Sequence, residues 1–184
     1  MKELSLNILD VAENSYKAGA ENVEILLREK DNRLTLMIRD DGCGMPAEIL
    51  RVVTDPFYTT RTTRKVGLGL PLLQLAAEQT GGSLSVSSVT AQENPDRHGT
   101  AVTAEFRTDH LDFTPLGDVV STVTTLIQGH PDVHLVFRHE TERGTVQLDT
   151  AELKTVLGDD ISLAEYEILQ WIEDCLKEQY DGLL

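Results

Sequence analysis

The sequence predicts an α+β fold: a two-layer α/β sandwich with helices on one face of a mixed, mainly antiparallel sheet, plus a small α/β extension at the C-terminal end. Three observations predict it. Residues 1–107 read as helix, strand, strand, short helix, loop, helix, strand, strand, an order that joins neighbouring strands directly instead of through βαβ units. The strand candidates alternate apolar and polar residues with period two, as half-buried strands do. The charge balance then changes near Asp109: residues 1–107 carry 12 Lys and Arg against 15 Asp and Glu, whereas residues 108–184 carry 4 against 16. The boundary is placed there, with 1–108 as the main domain and 109–184 as an acidic extension.

Each element has its own signal. Leu4, Leu6, Ile8, Leu9, Val11, Ala12 and Ala18 recur every three to four residues, and Gly19 stands where such a helix ends. Residues 23–27 (VEILL) and 34–38 (LTLMI) flank the polar turn Lys30-Asp31-Asn32, which reads as a hairpin. A short helix around Ala47 to Val52 precedes DPFYTTRTTRK (residues 55–65), a hydroxyl- and cation-rich loop without periodicity. Gly69 to Gln79 resumes helical spacing through Leu70, Leu72, Leu73, Leu75 and Ala76, and Gly81-Gly82 stops it. Residues 83–88 and 100–106 alternate with period two around the hydrophilic TAQENPDRHG. From Thr114 the tail reads as a helix, two strands across the turn Thr141 to Gly144, and one or two helices that include Leu163 to Leu176. Ile168, Trp171, Ile172 and Leu176 form a helical stripe there, expected in the core.

Composition narrows the function. No apolar run approaches the roughly 18 residues of a membrane span, and Met1-Lys2-Glu3 leads into an amphipathic segment without a secretory signal, so a cytoplasmic location is expected. Cys43 and Cys175 form no CxxC pair, and the five histidines lack zinc-ligand spacing, so no structural transition metal is expected. A formal net charge of −15 disfavours broad nucleic-acid binding. Neither G-x-G-x-x-G nor G-x-x-x-x-G-K-[ST] occurs, which sets aside Rossmann and P-loop phosphate cradles.

Four stretches stand in order: LDVAENSYKAGA (9–20), DDGCGMP (40–46), DPFYTTRTTRKVGLGL (55–70) and HGTAVTAEF (98–106). Together they resemble the boxes of the histidine-kinase-like ATPase (GHKL) superfamily, which includes gyrase B, heat-shock 90 chaperones, sensor histidine kinases and mismatch-repair ATPases. The resemblance covers residues 1 to about 107 and is nearest to the sensor-kinase branch. It implies the Bergerat-type fold, with ATP and Mg2+ held between the helical layer and a lid. It also implies roles. Asn14 coordinates magnesium, a hard cation suited to an amide oxygen. Lys17, one turn on, meets phosphate. The Asp40 carboxylate accepts from the adenine amine, with Gly42 and Gly44 shaping the turn. Phe57, with Tyr58, anchors the lid, and Arg61, Arg64 and Lys65 reach phosphate oxygens. Gly67, Leu68 and Gly69 open a helix whose free N–H groups favour phosphate. Thr100, beside Gly99, lines the pocket from its strand.

Position 10 departs from the gyrase pattern. A glutamate acts there as general base in several branches; here Asp10 is one methylene shorter, and Glu13 faces elsewhere on the helix. Asp10 and Lys17 are therefore the candidate catalytic pair, with weak hydrolysis expected. The sensor-kinase resemblance implies an ATP-dependent protein kinase acting in trans on a histidine or serine of a partner protein. No phosphoacceptor hairpin is expected ahead of the first box, and His139-Glu140 lacks the pattern of a phosphoacceptor helix. The alternatives are a non-catalytic ATP-dependent regulatory module and a slow ATPase. No nucleic-acid or membrane partner is expected, and a homodimer is left open.

Overall fold

The structure is a computed structural model that describes residues 3–55, 68–158 and 160–184. Strands β1 (Asn22–Lys30) and β2 (Arg33–Asp40) form the expected hairpin, closed by Asp31 and Asn32 at φ 52° and 57°. Two successive left-handed residues give the turn whose twist matches the flanking strands, and Asp and Asn tolerate that region best after Gly. Strands β3 (Ser83–Val89) and β4 (Gly99–Arg107) pair antiparallel, and β4 also pairs with β2, setting Thr100 opposite Asp40.

Beyond residue 108 come α4 (Val119–Gly129), β5 (His134–Thr141), β6 (Gly144–Asp149), α5 (Thr150–Leu157) and α6 (Tyr166–Asp181). β5 lies parallel to β1, from Asn22 opposite His134 to Arg28 opposite Glu140, and β6 pairs antiparallel with β5. One six-stranded open sheet results, in the order β3-β4-β2-β1-β5-β6, with a single parallel pairing. The mixed, mainly antiparallel α/β sandwich is thus observed.

Alternation explains the layering. Val23, Ile25 and Leu27 on β1, Leu34, Leu36 and Ile38 on β2, Val102, Ala104 and Phe106 on β4, and Leu135 and Phe137 on β5 are all buried. Helix α1 (Leu4–Lys17) adds Leu4, Ile8 and Val11, the short α2 (Ala47–Leu50) adds no buried residue, α3 (Gly69–Gln79) adds Leu70, Leu73 and Ala77, and α4 adds Val123, Leu126 and Ile127. These residues make one core. Each fully buried aliphatic or aromatic side chain contributes about 1.5–3 kcal/mol.

Several ends are tied by particular groups. The first N–H groups of α1 find no side-chain cap; Leu4 and Ser5 instead donate to the carbonyls of Pro115 (2.9 Å) and Leu116 (2.8 Å). Asp118 caps α4 by accepting from Ser121 N, and Asp149 caps α5. At the β6 edge the Gln179 side-chain amide donates to Gln147 O and accepts from Gln147 N, occupying part of a strand edge that otherwise invites pairing. Among the described residues, Asn7 is the buried side chain whose amide nitrogen and oxygen both lack a partner.

The tail corrects two expectations. Its last helix begins at Tyr166 and runs to Asp181, while Leu163 is buried in the preceding loop. The apolar stripe also divides: Ile172 and Leu176 are fully buried, but Trp171 is 43% exposed. Consecutive helical residues point about 100° apart, so seating Ile172 against the core turns Trp171 toward the rim. No helix among the described residues is long and apolar enough to cross a membrane.

Candidate functional site

Asp40 ends β2 with its side chain on the helix-covered face, where α1 reaches it. Its Oδ1 accepts from the backbone N–H of Gly42 (2.9 Å) and of Thr100 (3.2 Å), and its Oδ2 accepts from Ser15 Oγ at 2.6 Å. A carboxylate offers about four acceptor positions; three are filled by the protein and one is left for a ligand donor. The sequence boxes had singled out Asp40, Gly42 and Thr100, which the fold brings together, but not Ser15. Its position directly after Asn14 was the available signal.

The loop after Asp40 is tied on every side. Asp41 accepts from the backbone N–H of Glu21 (2.8 Å) and Asn22 (2.9 Å) and from Asn22 Nδ2 (2.6 Å). Burial opposes ionisation of this carboxyl, but the Asn22 and Glu21 donors together hold it below the ordinary range. Cys43 N donates to Ala18 O, Ala91 N donates to Cys43 O, and the His98 Nδ1–H donates to Gly42 O at 2.6 Å. Met45 N donates to Ser88 Oγ, which lies 2.8 Å from Thr100 Oγ1. Ser88 and His98 are further residues that the sequence boxes did not single out; a serine in an alternating strand and a histidine in a polar loop carry no local signal.

The glycines here are explained by protein neighbours. A Cβ at Gly42 would sit 2.8 Å from Ala18 Cβ, and Gly44 combines φ 73° with a Cβ position 2.0 Å from Val89 O. Both serve a tight turn packed against the end of α1 and against β3.

The other end of the cleft is open and polar. Asp10, Asn14 and Lys17 lie at i, i+4 and i+7, which puts them on one face of α1, and all three are exposed. None makes a side-chain hydrogen bond or ion pair with a described residue. Glu13 faces away, with the His130 Nε2 3.1 Å from its carboxylate. Helix α3 starts at Gly69, after Leu68, and is seated on α1: a Cβ at Gly69 would lie 3.2 Å from Asp10 Cβ. Pro71 removes one donor from its first turn, leaving the N–H groups of Gly69 and Leu70 at the helix start. An amide oxygen, a carboxylate and an ammonium on one face of α1, with the start of α3 packed beside Asp10, are groups of the kind that bind magnesium and polyphosphate. The remaining site candidates, Phe57, Lys65 and Gly67 with Tyr58, Arg61 and Arg64, lie outside the described residues.

The histidines are committed elsewhere. His139 is 3% exposed; its Nδ1 lies 2.8 Å from Tyr180 Oη and its Nε2 3.1 Å from Glu29. His130 stacks on Tyr16 at 3.8 Å, and His134 contacts Asn22 and Asp149. His110 is beside Asp112.

Comparison with known proteins identifies the family and the fold. The profile of the family described as histidine kinase-, DNA gyrase B-, and HSP90-like ATPase matches residues 1–110. The tetrathionate sensor histidine kinase TtrS of Salmonella typhimurium is 31% identical over 93 residues, 50% of this chain and 15% of that protein. The sensor histidine kinase YkoH of Bacillus subtilis is 32% identical over 111 residues, 58% of this chain and 22% of that protein. The chain therefore matches only a minor part of these relatives' length. Among solved structures, the Aquifex aeolicus MutL ATPase domain complexed with ADP superposes with a TM-score of 0.57 at 17% identity, over 85% of this chain and 68% of that one. The N-terminal domain of a DNA repair protein gives the same TM-score and identity over 81% of this chain and 52% of that one. These two likenesses extend the shared fold past residue 110. The Asp40 pocket, the polar face of α1 and the matching profile have one reading: the chain belongs to the histidine kinase-, DNA gyrase B- and HSP90-like ATPase family and is related to the ATP-binding domains of sensor histidine kinases.

Proposed function

We propose that the cleft between α1, α3 and the Asp40 loop binds Mg-ATP and passes the γ-phosphoryl group to a histidine or serine of a partner protein. Residues 109–184 serve as an acidic extension of this ATP-binding domain. The observation that carries the nucleotide assignment is the Asp40 carboxylate, held by three protein donors with one acceptor position left. That position suits the exocyclic amine of adenine. Asn14 is the magnesium ligand, and the bound ion supplies charge neutralisation on the phosphate oxygens. Lys17 and the first N–H groups of α3 hold phosphate, fixing the transferring group for an in-line acceptor.

Asp10 favours transfer over hydrolysis. Its arm is one methylene shorter than a glutamate, and Gly69 packs against its Cβ, so its reach toward an attacking water is limited. An imidazole acceptor supplies its own nucleophile and needs no such base. The buried or engaged state of His139, His130 and His134 is consistent with an acceptor on another protein.

The test is calorimetry of Mg-ATP with the wild type and Asp40→Asn, followed by γ-phosphate release and by labelling of a cell extract with γ-labelled ATP. The expected result is binding by the wild type alone, slow phosphate release that Asp10→Glu raises by about tenfold or more, and label on a partner protein only with the wild type. Rapid release by the wild type without labelling replaces the kinase reading with an ATPase. Absence of adenine-nucleotide binding overturns the site.

A second reading, a nucleotide-dependent regulatory module, is favoured by the contacts of α1 with the tail. Pro115 and Leu116 cap its first turn and His130 stacks on Tyr16 near its end, so nucleotide binding on α1 biases the tail directly. Nucleotide-dependent partner binding without label transfer decides for it.

A further inference from the structure

Trp171 stands out of the core at the mouth of a groove of about 330 Å³ between α5, α6 and the β5–β6 edge. Phe137 and Ile172 lie fully buried beneath the groove and Leu148 nearly so; Leu153 and the Trp171 ring bring apolar surface to a lining that is otherwise largely polar and includes Glu152 and Asp149. Tyr166 and Val156, 76% and 79% exposed, lie on the same two helices. Asp174 and Glu178 follow Trp171 at i+3 and i+7, on its side of α6. Both carboxylates are close enough to Cys175, another lining residue, to add to the effect of burial in pushing its thiol up. Arg138 is the cation among the lining residues, and it lies 3.9 Å from Glu140.

We propose that this groove docks a basic segment of a partner protein, with an aliphatic side chain against Leu153 and a lysine or arginine between the Trp171 ring and Glu152. The argument is one of chemistry and charge. Tryptophan is enriched among the residues that anchor protein interfaces, and its ring face attracts a cation. Glu152, Asp174 and Glu178 make no ion pair with a described residue. The segment that carries the groove holds 16 acidic against 4 basic residues, so the field at its mouth steers cationic partners in. A second copy of the chain brings a net charge of −15 against the same field, which disfavours self-association. Since Gln179 already satisfies the Gln147 backbone, recognition here is by side chains.

Trp171 is the single tryptophan of the chain, so its fluorescence reports the groove directly and without nucleotide. This keeps the test separate from that of the phosphotransfer reading. A short peptide of alternating lysine and leucine is titrated into the full chain, with lysine–serine and glutamate–leucine peptides as comparisons. The expected result is a saturable change with lysine–leucine alone, weakened at least about tenfold by Glu152→Lys and by Asp174→Lys, with circular dichroism confirming that both variants fold. No saturable change, an equal response to either comparison peptide, or insensitivity to both reversals overturns the proposal. A Trp171 change that follows protein concentration without peptide also overturns it, in favour of a second copy.

Discussion

Ser15→Ala tests whether Asp40, the proposed adenine acceptor, is preorganised by the protein. The hydroxyl is 4% exposed as part of a buried residue and donates to Asp40 Oδ2 at 2.6 Å. A hydrogen bond to a charged group is worth about 1.5–3 kcal/mol. The whole amount does not reach binding, because the Gly42 and Thr100 N–H groups still hold Oδ1; what is lost is the constraint on rotation of the carboxylate. About 1 kcal/mol of ATP affinity is therefore expected to go, roughly a fivefold rise in Kd. Discrimination against GTP should fall as well, since guanine places a carbonyl where adenine places the amine, and a fixed carboxylate repels it best. Calorimetry of both nucleotides, with Asp40→Asn as the reference, measures the two effects. Unchanged ATP affinity and unchanged ATP-to-GTP selectivity in Ser15→Ala, alongside lost binding in Asp40→Asn, would refute the positioning role.

Two further predictions concern stability. Asn7→Leu removes a buried amide with neither partner satisfied and replaces it with an apolar side chain of similar branching; the unfolding midpoint should rise, by up to about 1–3 kcal/mol of stability, and a fall would mean that Asn7 has a partner in solution. Asp41 governs part of the acid response. Its folded pKa is depressed by the Asn22 and Glu21 donors against burial, so its contribution is present above the ordinary aspartate value of about 3.9 and lost as pH falls through the folded value. Thermal melts from neutral pH to about pH 2 should therefore show Asp41→Asn less stable than wild type near neutrality, with the gap closing in acid; a gap constant across the range would rule out this linkage.

The local elements were legible because their signals are local. The Asp31-Asn32 turn, the Gly69 start and Gln79 end of α3, and the alternation in β2 and β4 each depend on residues a few positions apart. The place of the tail was not legible. β5 pairs with β1 across more than a hundred residues, and its apolar run fits several strand neighbours equally well. The nucleotide box showed the same division. Asp40 and the glycines are readable as a motif, whereas Ser15, Ser88 and His98 are tied to it through partners 25, 43 and 56 residues away. Trp171 was misplaced because a stripe at helical spacing specifies a face, and packing decides how wide that face is.

The two faces of α1 give the strongest argument for treating the tail as more than ballast. Asp10, Asn14 and Lys17 project from one face toward the cleft. An adjoining flank is held by the tail: Thr122 Oγ1 donates to Ser5 O, His130 stacks on Tyr16, and the same imidazole reaches Glu13. A helix is stiff along its axis, and α4 grips this one near both ends. A ligand that draws Asn14 and Lys17 toward phosphate therefore cannot move α1 without moving α4 or breaking these contacts. α4 in turn packs on α6, the helix that carries Trp171. The proposed nucleotide site and the proposed groove are thus joined by two packed helix pairs, and linkage requires any coupling to be reciprocal: if Mg-ATP alters the peptide affinity by some factor, the peptide must alter Mg-ATP affinity by the same factor.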